Sequence, residues 1–404
     1  MSETLELDLS DVEETHQSLE TERFVQLDGQ QLSYQHFFRE YLRPNRPCLL
    51  KNVTQDWVAQ KRWVKDGKPN FSYLKEKYGN AEVPVSDCNE RYFNSQKKCT
   101  MSMADFLAYW ESFIDNGYAE DDYSYYMKDW HFANEHPSED AYRVPPFFAS
   151  DWINEYLLRG EKCSNDDYRF VYMGPKGTWT PLHSDVFSSF SWSVNICGKK
   201  KWLFLPPGSE NCLKDKLGNL VYDVDDKELE DSNKYPNYSA NIPKTILIQD
   251  VGDAVFVPSG WHHQVWNLDD TISFNHNWIN GCNVGSVLAA MNSCLVSVSM
   301  EIEDCKDMDE WDDQCQLLLK SCFGMNHKDF YDFVTYISRE RLAHLKEGSR
   351  LRVNGGWLLG PNHMKFDLSQ IKALLRQMLN TDVPCYQSLK NEFTLLINEI
   401  DENI

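Results

Sequence analysis

Between residues 168 and 278 the chain runs in short segments rich in Val, Ile, Phe and Trp, each closed by Gly, Pro or Asn. That pattern predicts strands over 169–173, 189–194, 200–205, 245–249, 254–258, 263–267 and 272–278, the signature of an antiparallel barrel or jelly roll. The intervening stretch 207–243 is polar and irregular. A loop of that length in a compact domain is usually functional, and it reads as an insertion near the barrel mouth.

On either side the periodicity differs. Residues 34–41 and 103–113 repeat apolar positions at helical spacing, whereas 47–53 reads as a short strand, so 23–153 is expected to form an α/β region packed on the barrel. After residue 284, Phe330, Phe333, Ile337 and Arg341 share one helical face behind a candidate Asn326 cap, and Leu368, Ile371, Leu375 and Met378 repeat the pattern. The expected organisation is a flexible acidic tail over 1–22, the α/β region, a barrel core over 154–284 and a helical region over 285–404, an α+β fold overall. Those last helices are expected to support the barrel, form a homodimer surface or grip a protein substrate.

Composition narrows the function. Aromatic residues make up 13% of the chain, enough to stabilise a large core. Forty Lys+Arg against sixty-two Asp+Glu leave a net charge of −22, a field that repels phosphate backbones and attracts basic partners, so direct nucleic-acid binding is not expected. Twelve cysteines stand singly, with no C-x-x-C pair to suggest a zinc ribbon, and read as reduced thiols. The acidic first residues carry no basic, apolar leader and no segment reads as a membrane span, so a cytoplasmic protein with a nuclear fraction is expected.

Chemistry concentrates in three places. Gly177-Thr-Trp-Thr-Pro-Leu-His-Ser-Asp185 sets His183 and Asp185 two residues apart, on one face of a strand. Surface His-x-Asp pairs are common, so this pair is weak alone. Val257-Pro-Ser-Gly-Trp-His-His-Gln-Val-Trp266 supplies a further histidine about eighty residues on. Two imidazoles and a carboxylate are the donor set of non-haem Fe(II) oxygenases, which leaves three positions for cosubstrate and dioxygen. Because His262 and His263 are adjacent on a strand, only one can face a metal; the other is expected in the core or supporting a ligand. In Gly198-Lys-Lys-Lys-Trp-Leu-Phe-Leu-Pro-Pro207, alternation sends Lys200 to one face and Lys199 and Lys201 to the other. A lysine aimed into a barrel is costly unless an anion such as a dicarboxylate meets it.

Together these three segments, with Arg46-Pro-Cys-Leu-Leu-Lys-Asn-Val53 and Trp57, resemble the jumonji-C family of 2-oxoglutarate oxygenases over roughly residues 24–278. The resemblance implies a double-stranded β-helix of the cupin-like kind, Fe(II) on His183, Asp185 and His263, 2-oxoglutarate as cosubstrate with dioxygen, and ascorbate as a reductant. It pairs Lys200 and Thr180 with the distal carboxylate of 2-oxoglutarate, and Tyr126 with the same group. Many members carry an asparagine on the strand after the aspartate, where this chain has Ser189, Ser191 and Ser193. Within the family, the runs Phe190-Ser-Trp-Ser-Val-Asn195, Gly260-Trp-His-His-Gln-Val265 and Asn267-Leu-Asp-Asp-Thr-Ile-Ser273 are most similar to a lysyl hydroxylase of a translation termination factor. That implies a basic protein substrate and stable hydroxylation. The alternatives are a lysine demethylase and a non-catalytic scaffold that binds protein through its acidic surface.

Overall fold

The computed structural model describes residues 4–11, 24–119, 123–158, 167–381 and 383–404. Apart from five two-residue strands, its strands are β1 (Val25–Asp28), β2 (Cys48–Lys51), β3 (Glu82–Tyr92), β4 (Ser95–Ser102), β5 (Tyr125–Trp130), β6 (Arg169–Gly174), β7 (Trp179–His183), β8 (Phe190–Cys197), β9 (Lys200–Leu205), β10 (Thr245–Gln249), β11 (Ala254–Val257), β12 (His262–Asn267) and β13 (Thr271–Trp278). They form a nine-stranded sheet, ordered β1-β2-β11-β8-β13-β6-β5-β3-β4, which faces a four-stranded sheet, β7-β12-β9-β10. All neighbours are antiparallel except β1 and β2. This is the jelly-roll barrel that the strand pattern predicts, within an α+β fold.

Alternation along β9 shows how sequence sets the two faces. Trp202 and Phe204 point between the sheets and pack with Leu49, Val255, Val257 and Val265. Leu203 and Leu205 point the other way, where Leu213, Val221, Leu229 and Tyr235 of the 207–243 stretch cover them. That stretch therefore lies over the outer face of the smaller sheet, tied there by Leu182 N–H donating to Tyr222 O and Gln264 Nε2 to Asp223 Oδ1. Its apolar residues are spaced too irregularly to show this role in the sequence.

Two expectations change. The 23–153 region does not simply pack on the barrel: β1 and β2 extend one edge of the larger sheet, and β3, β4 and β5 the other. The predicted 1–22 tail is not wholly a tail, because Thr4–Leu5 pairs in parallel with Leu358–Leu359 and Leu5 and Leu7 are buried. Two apolar side chains in a polar stretch are too few to show a periodicity, though enough to dock. Residues 1–3 and 12–22 of that prediction lie outside the described residues.

The C-terminal third comprises α1 (Val284–Glu301), α2 (Trp311–Phe323), α3 (His327–Glu347), α4 (Pro361–Leu379) and α5 (Pro384–Asp401). Asn326 and Asp329 form a reciprocal capping box at the start of α3. Phe330, Phe333, Ile337 and Arg341 are buried along its inner face, as Leu368, Ile371, Leu375 and Met378 are on α4. Arg341 pairs there with Glu155 and, at 3.1 Å, with Asp367. By length and composition α1 is apolar enough to cross a membrane, contrary to the reading of the sequence. Val287, Leu288 and Met291 are nevertheless buried in the main core.

Candidate metal centre

β7 and β12 lie side by side with His183 opposite His263, after a register shift between Thr180 and His183. The strand ends at His183, so Asp185 is not on it. It stands just before a single turn, Val186–Ser188, whose Phe187 and Ser188 take left-handed φ of 57° and 53°. Such backbone persists where its surroundings over-determine it. Phe187 is buried against Tyr168 and Phe323, in space left by Gly324, where a Cβ would stand 2.6 Å from its ring.

One ligand atom each from His183, Asp185 and His263 lies within 4.8 Å of the others. The Asp185 carboxylate is held on both oxygens, by Asn277 Nδ2 at 2.9 Å and by Ser191 Oγ at 2.6 Å. His183 Nδ1 faces the Pro181 carbonyl at 2.8 Å and His263 Nδ1 the Trp261 carbonyl at 3.1 Å. A carbonyl only accepts, so each Nδ1 carries the proton and each Nε2 keeps a free lone pair. Burial lowers both imidazole pKa values, that of His183 to about 4, with each ring further depressed by a neighbouring histidine. Two neutral imidazoles and one carboxylate are the donors that suit Fe(II).

Lys200 stands at the other end of the cavity, 2% exposed. Its ammonium donates to Ser273 Oγ at 2.7 Å and reaches Tyr126 OH at 3.4 Å. Among the described residues no carboxylate pairs with it, and burial pulls its pKa down to about 7. Gly174 permits this arrangement, since a Cβ there would meet the Tyr126 ring at 2.7 Å. Thr180 lines the same cavity of about 70 Å³, together with Tyr172, Ser193 and Asn275. The buried Ser193 hydroxyl has no hydrogen-bond partner. A cation without a counter-charge beside an unused hydroxyl fits a bound dicarboxylate.

Lys199 and Lys201 point away: Lys199 pairs with Asp250 at the surface and Lys201 lies over the Trp266 ring. His262 also faces outward, 3.8 Å from Glu210 of the 207–243 stretch, and does not orient a ligand. Main-chain carbonyls do that instead. Sequence reasoning passed over Tyr172, Ser273, Asn275 and Asn277. A signal was present, because polar residues recur at alternate positions 273, 275 and 277 while Ile272, Phe274 and Trp278 take the other parity.

The cupin-like domain family matches residues 34–283. The chain is 45% identical over 361 residues to 2-oxoglutarate and iron-dependent oxygenase JMJD4 of Gallus gallus, covering 87% of this chain and 84% of that one. Identity to the Homo sapiens protein of the same name is 42% over 350 residues, with 86% and 82% covered. The arginine-specific demethylase JMJ20 of Arabidopsis thaliana is 38% identical over 374 residues, with 88% and 79% covered.

Proposed function

The chain belongs to the cupin-like JmjC family of 2-oxoglutarate and iron-dependent oxygenases, and from that premise we propose that it hydroxylates a lysine side chain of a translation termination factor. The observation that carries the enzymatic part is the pairing of the His183, Asp185 and His263 cluster with a buried lysine that lacks a carboxylate partner, in one cavity. His183, Asp185 and His263 would hold the iron. Lys200, with Thr180 and Tyr126, would take the distal carboxylate of 2-oxoglutarate. Bound iron with 2-oxoglutarate and dioxygen would supply the power to oxidise an unactivated C–H bond, one oxygen atom entering the substrate and the other succinate as carbon dioxide leaves.

The chain's own residues bind, orient and exclude water. The carbonyls of Pro181 and Trp261 fix the imidazole tautomers, Ser191 and Asn277 fix the carboxylate, and Trp202 and Tyr172 wall the cavity. No side chain need act as a base on the substrate.

The choice of substrate is supported by the resemblance of the 190–195, 260–265 and 267–273 runs and by the net charge of −22, which suits a basic protein. The cytoplasm, where termination occurs, is the compartment this reading implies. A second reading, removal of methyl groups from a basic side chain, is favoured by the Arabidopsis relative's name.

The deciding experiment incubates the full chain with Fe(II), ascorbate, 2-oxoglutarate and a termination factor, and reads peptide masses. A gain of about sixteen daltons on one lysine, absent with His183→Ala, is the expected result. Loss of about fourteen daltons from a methylated arginine or lysine peptide, with formaldehyde released, establishes the second reading instead.

A further inference from the structure

A cavity well away from the metal site is larger than it. It measures about 520 Å³ and lies between α1, the start of α2 and the start of α5, floored by Leu295, Trp311 and Val383. A second groove of about 390 Å³ shares Leu295, Ser299 and Trp311 with it and continues over Val296 and Met300. Val296 is 54% exposed and Met300 70% exposed. The helix that reads as apolar enough for a membrane therefore buries its first half in the core and, in its second half, exposes Val296 and Met300 while Val298 stays buried. Contiguous exposed apolar surface of this kind marks an interaction site.

Its rim is predominantly acidic, with Lys306 among the residues lining the second groove. Residues 301–313 carry eight carboxylates and one cation, Lys306. Glu303, Asp309, Glu310, Asp312 and Asp313 line the two grooves themselves. A second copy of this chain would bring the same acidic rim against itself, and a membrane surface rich in anionic lipid would be repelled. A helix with an apolar stripe and a basic remainder matches both features, apolar side chains on the floor and cations on the rim.

We propose that this double groove docks a basic amphipathic helical segment of the protein substrate, an inference that rests on the reading of the substrate as a basic protein. The placement suits that role. α2 begins at Trp311 in the groove and ends at Phe323 and Gly324, which pack against Phe187, two residues from Asp185. Thirteen residues of helix span about 20 Å, a gap that six or seven extended residues of a substrate cross. A segment held in the groove thus presents an adjoining stretch to the cavity, raising its local concentration there.

The test measures binding of a labelled synthetic peptide of about twenty residues, Leu and Trp at helical spacing and Lys elsewhere, to the full chain by fluorescence anisotropy. A scrambled peptide of the same composition is the control. Val296→Ser with Met300→Ser, and separately Glu303→Lys with Asp309→Lys, should each weaken binding about tenfold. Asp225→Lys with Glu230→Lys, a like charge change on the 207–243 stretch, should leave it unchanged, as should all three pairs the basal formation of succinate. Equal binding of the scrambled peptide, or equal weakening by the Asp225 and Glu230 pair, would overturn the proposal by showing attraction to net charge alone. A wild-type dimer in sedimentation that dissociates with Met300→Glu would overturn it in favour of a second copy. Groove-dependent peptide binding with no oxygen gained by any termination-factor lysine supports the groove and defeats only the named substrate.

Discussion

Replacing Lys200 with methionine should make the chain more stable and a poorer receptor for 2-oxoglutarate, two effects of opposite sign from one residue. The side chain is 2% exposed and its pKa falls from 10.5 to about 7 through burial. A folded pKa below the unfolded one means that between pH 7 and 10.5 the unfolded chain binds more protons, so the charged lysine costs stability below pH 7 and the cost fades as pH rises. That cost is of the order of 5 kcal/mol. Methionine, of similar volume and uncharged, should recover about 1–4 kcal/mol at pH 7, read as a higher urea midpoint. The lost charge-assisted contact with the carboxylate should cost about 1.5–3 kcal/mol of binding, a roughly 10- to 150-fold rise in the Kd for 2-oxoglutarate. A carboxylate restores the ammonium, so binding to the native chain takes up a proton above pH 7. Its Kd should rise about 15-fold from pH 7 to 8.5, whereas the variant's should stay flat. Calorimetric titration without oxygen, to prevent turnover, measures both. A variant that is less stable, or that keeps the native pH dependence, refutes the assignment of Lys200.

Three further outcomes follow from the same contacts. Ser191→Ala removes one of two hydrogen bonds to Asp185 and should lower iron affinity about 10- to 100-fold, measured by competition with a chelator, while the circular dichroism stays native. Arg341→Leu strands Glu155 and Asp367 in the core and should cost about 3–5 kcal/mol in urea unfolding, whereas Arg339→Leu at the exposed Glu399 pair should cost under about 1 kcal/mol. Leu5→Ala and Leu7→Ala should each cost about 2–5 kcal/mol if the N-terminal residues dock as found, and nothing if they form a free tail.

The barrel was legible because its strands alternate with period two, and every inward set falls on one parity: 200, 202 and 204 on β9; 273, 275 and 277 on β13. The helices of the last third were equally readable from Phe330 to Arg341, where apolar spacing and an Asn cap agree. What escaped depends on pairing between distant segments. Ser191 and Asn277 are partners across β8 and β13, and only that register brings both to Asp185. The same-face argument for His183 and Asp185 names two side chains that do meet, but on a wrong premise, since the strand stops between them and the two left-handed residues that follow turn the chain. Nothing in a His-x-Asp spacing shows such a turn; Phe187 against Gly324, about 140 residues away, sets it.

One physical cause prepares both ends of the cavity. Exclusion of water keeps His183 and His263 neutral, which leaves their Nε2 lone pairs available to a metal at physiological pH. The same exclusion strips Lys200 of its hydration and leaves it a cation in want of an anion. A wetter cavity would protonate the histidines more readily and let water satisfy the lysine, weakening metal and cosubstrate binding together. The aromatic walls, Trp202 and the Tyr126 and Tyr172 rings, therefore act on the chemistry through the dielectric they impose, even where they touch neither group. Enlarging the cavity at Trp202 should consequently raise the His183 and Lys200 pKa values in concert, a joint movement that changes at two independent contacts would not produce.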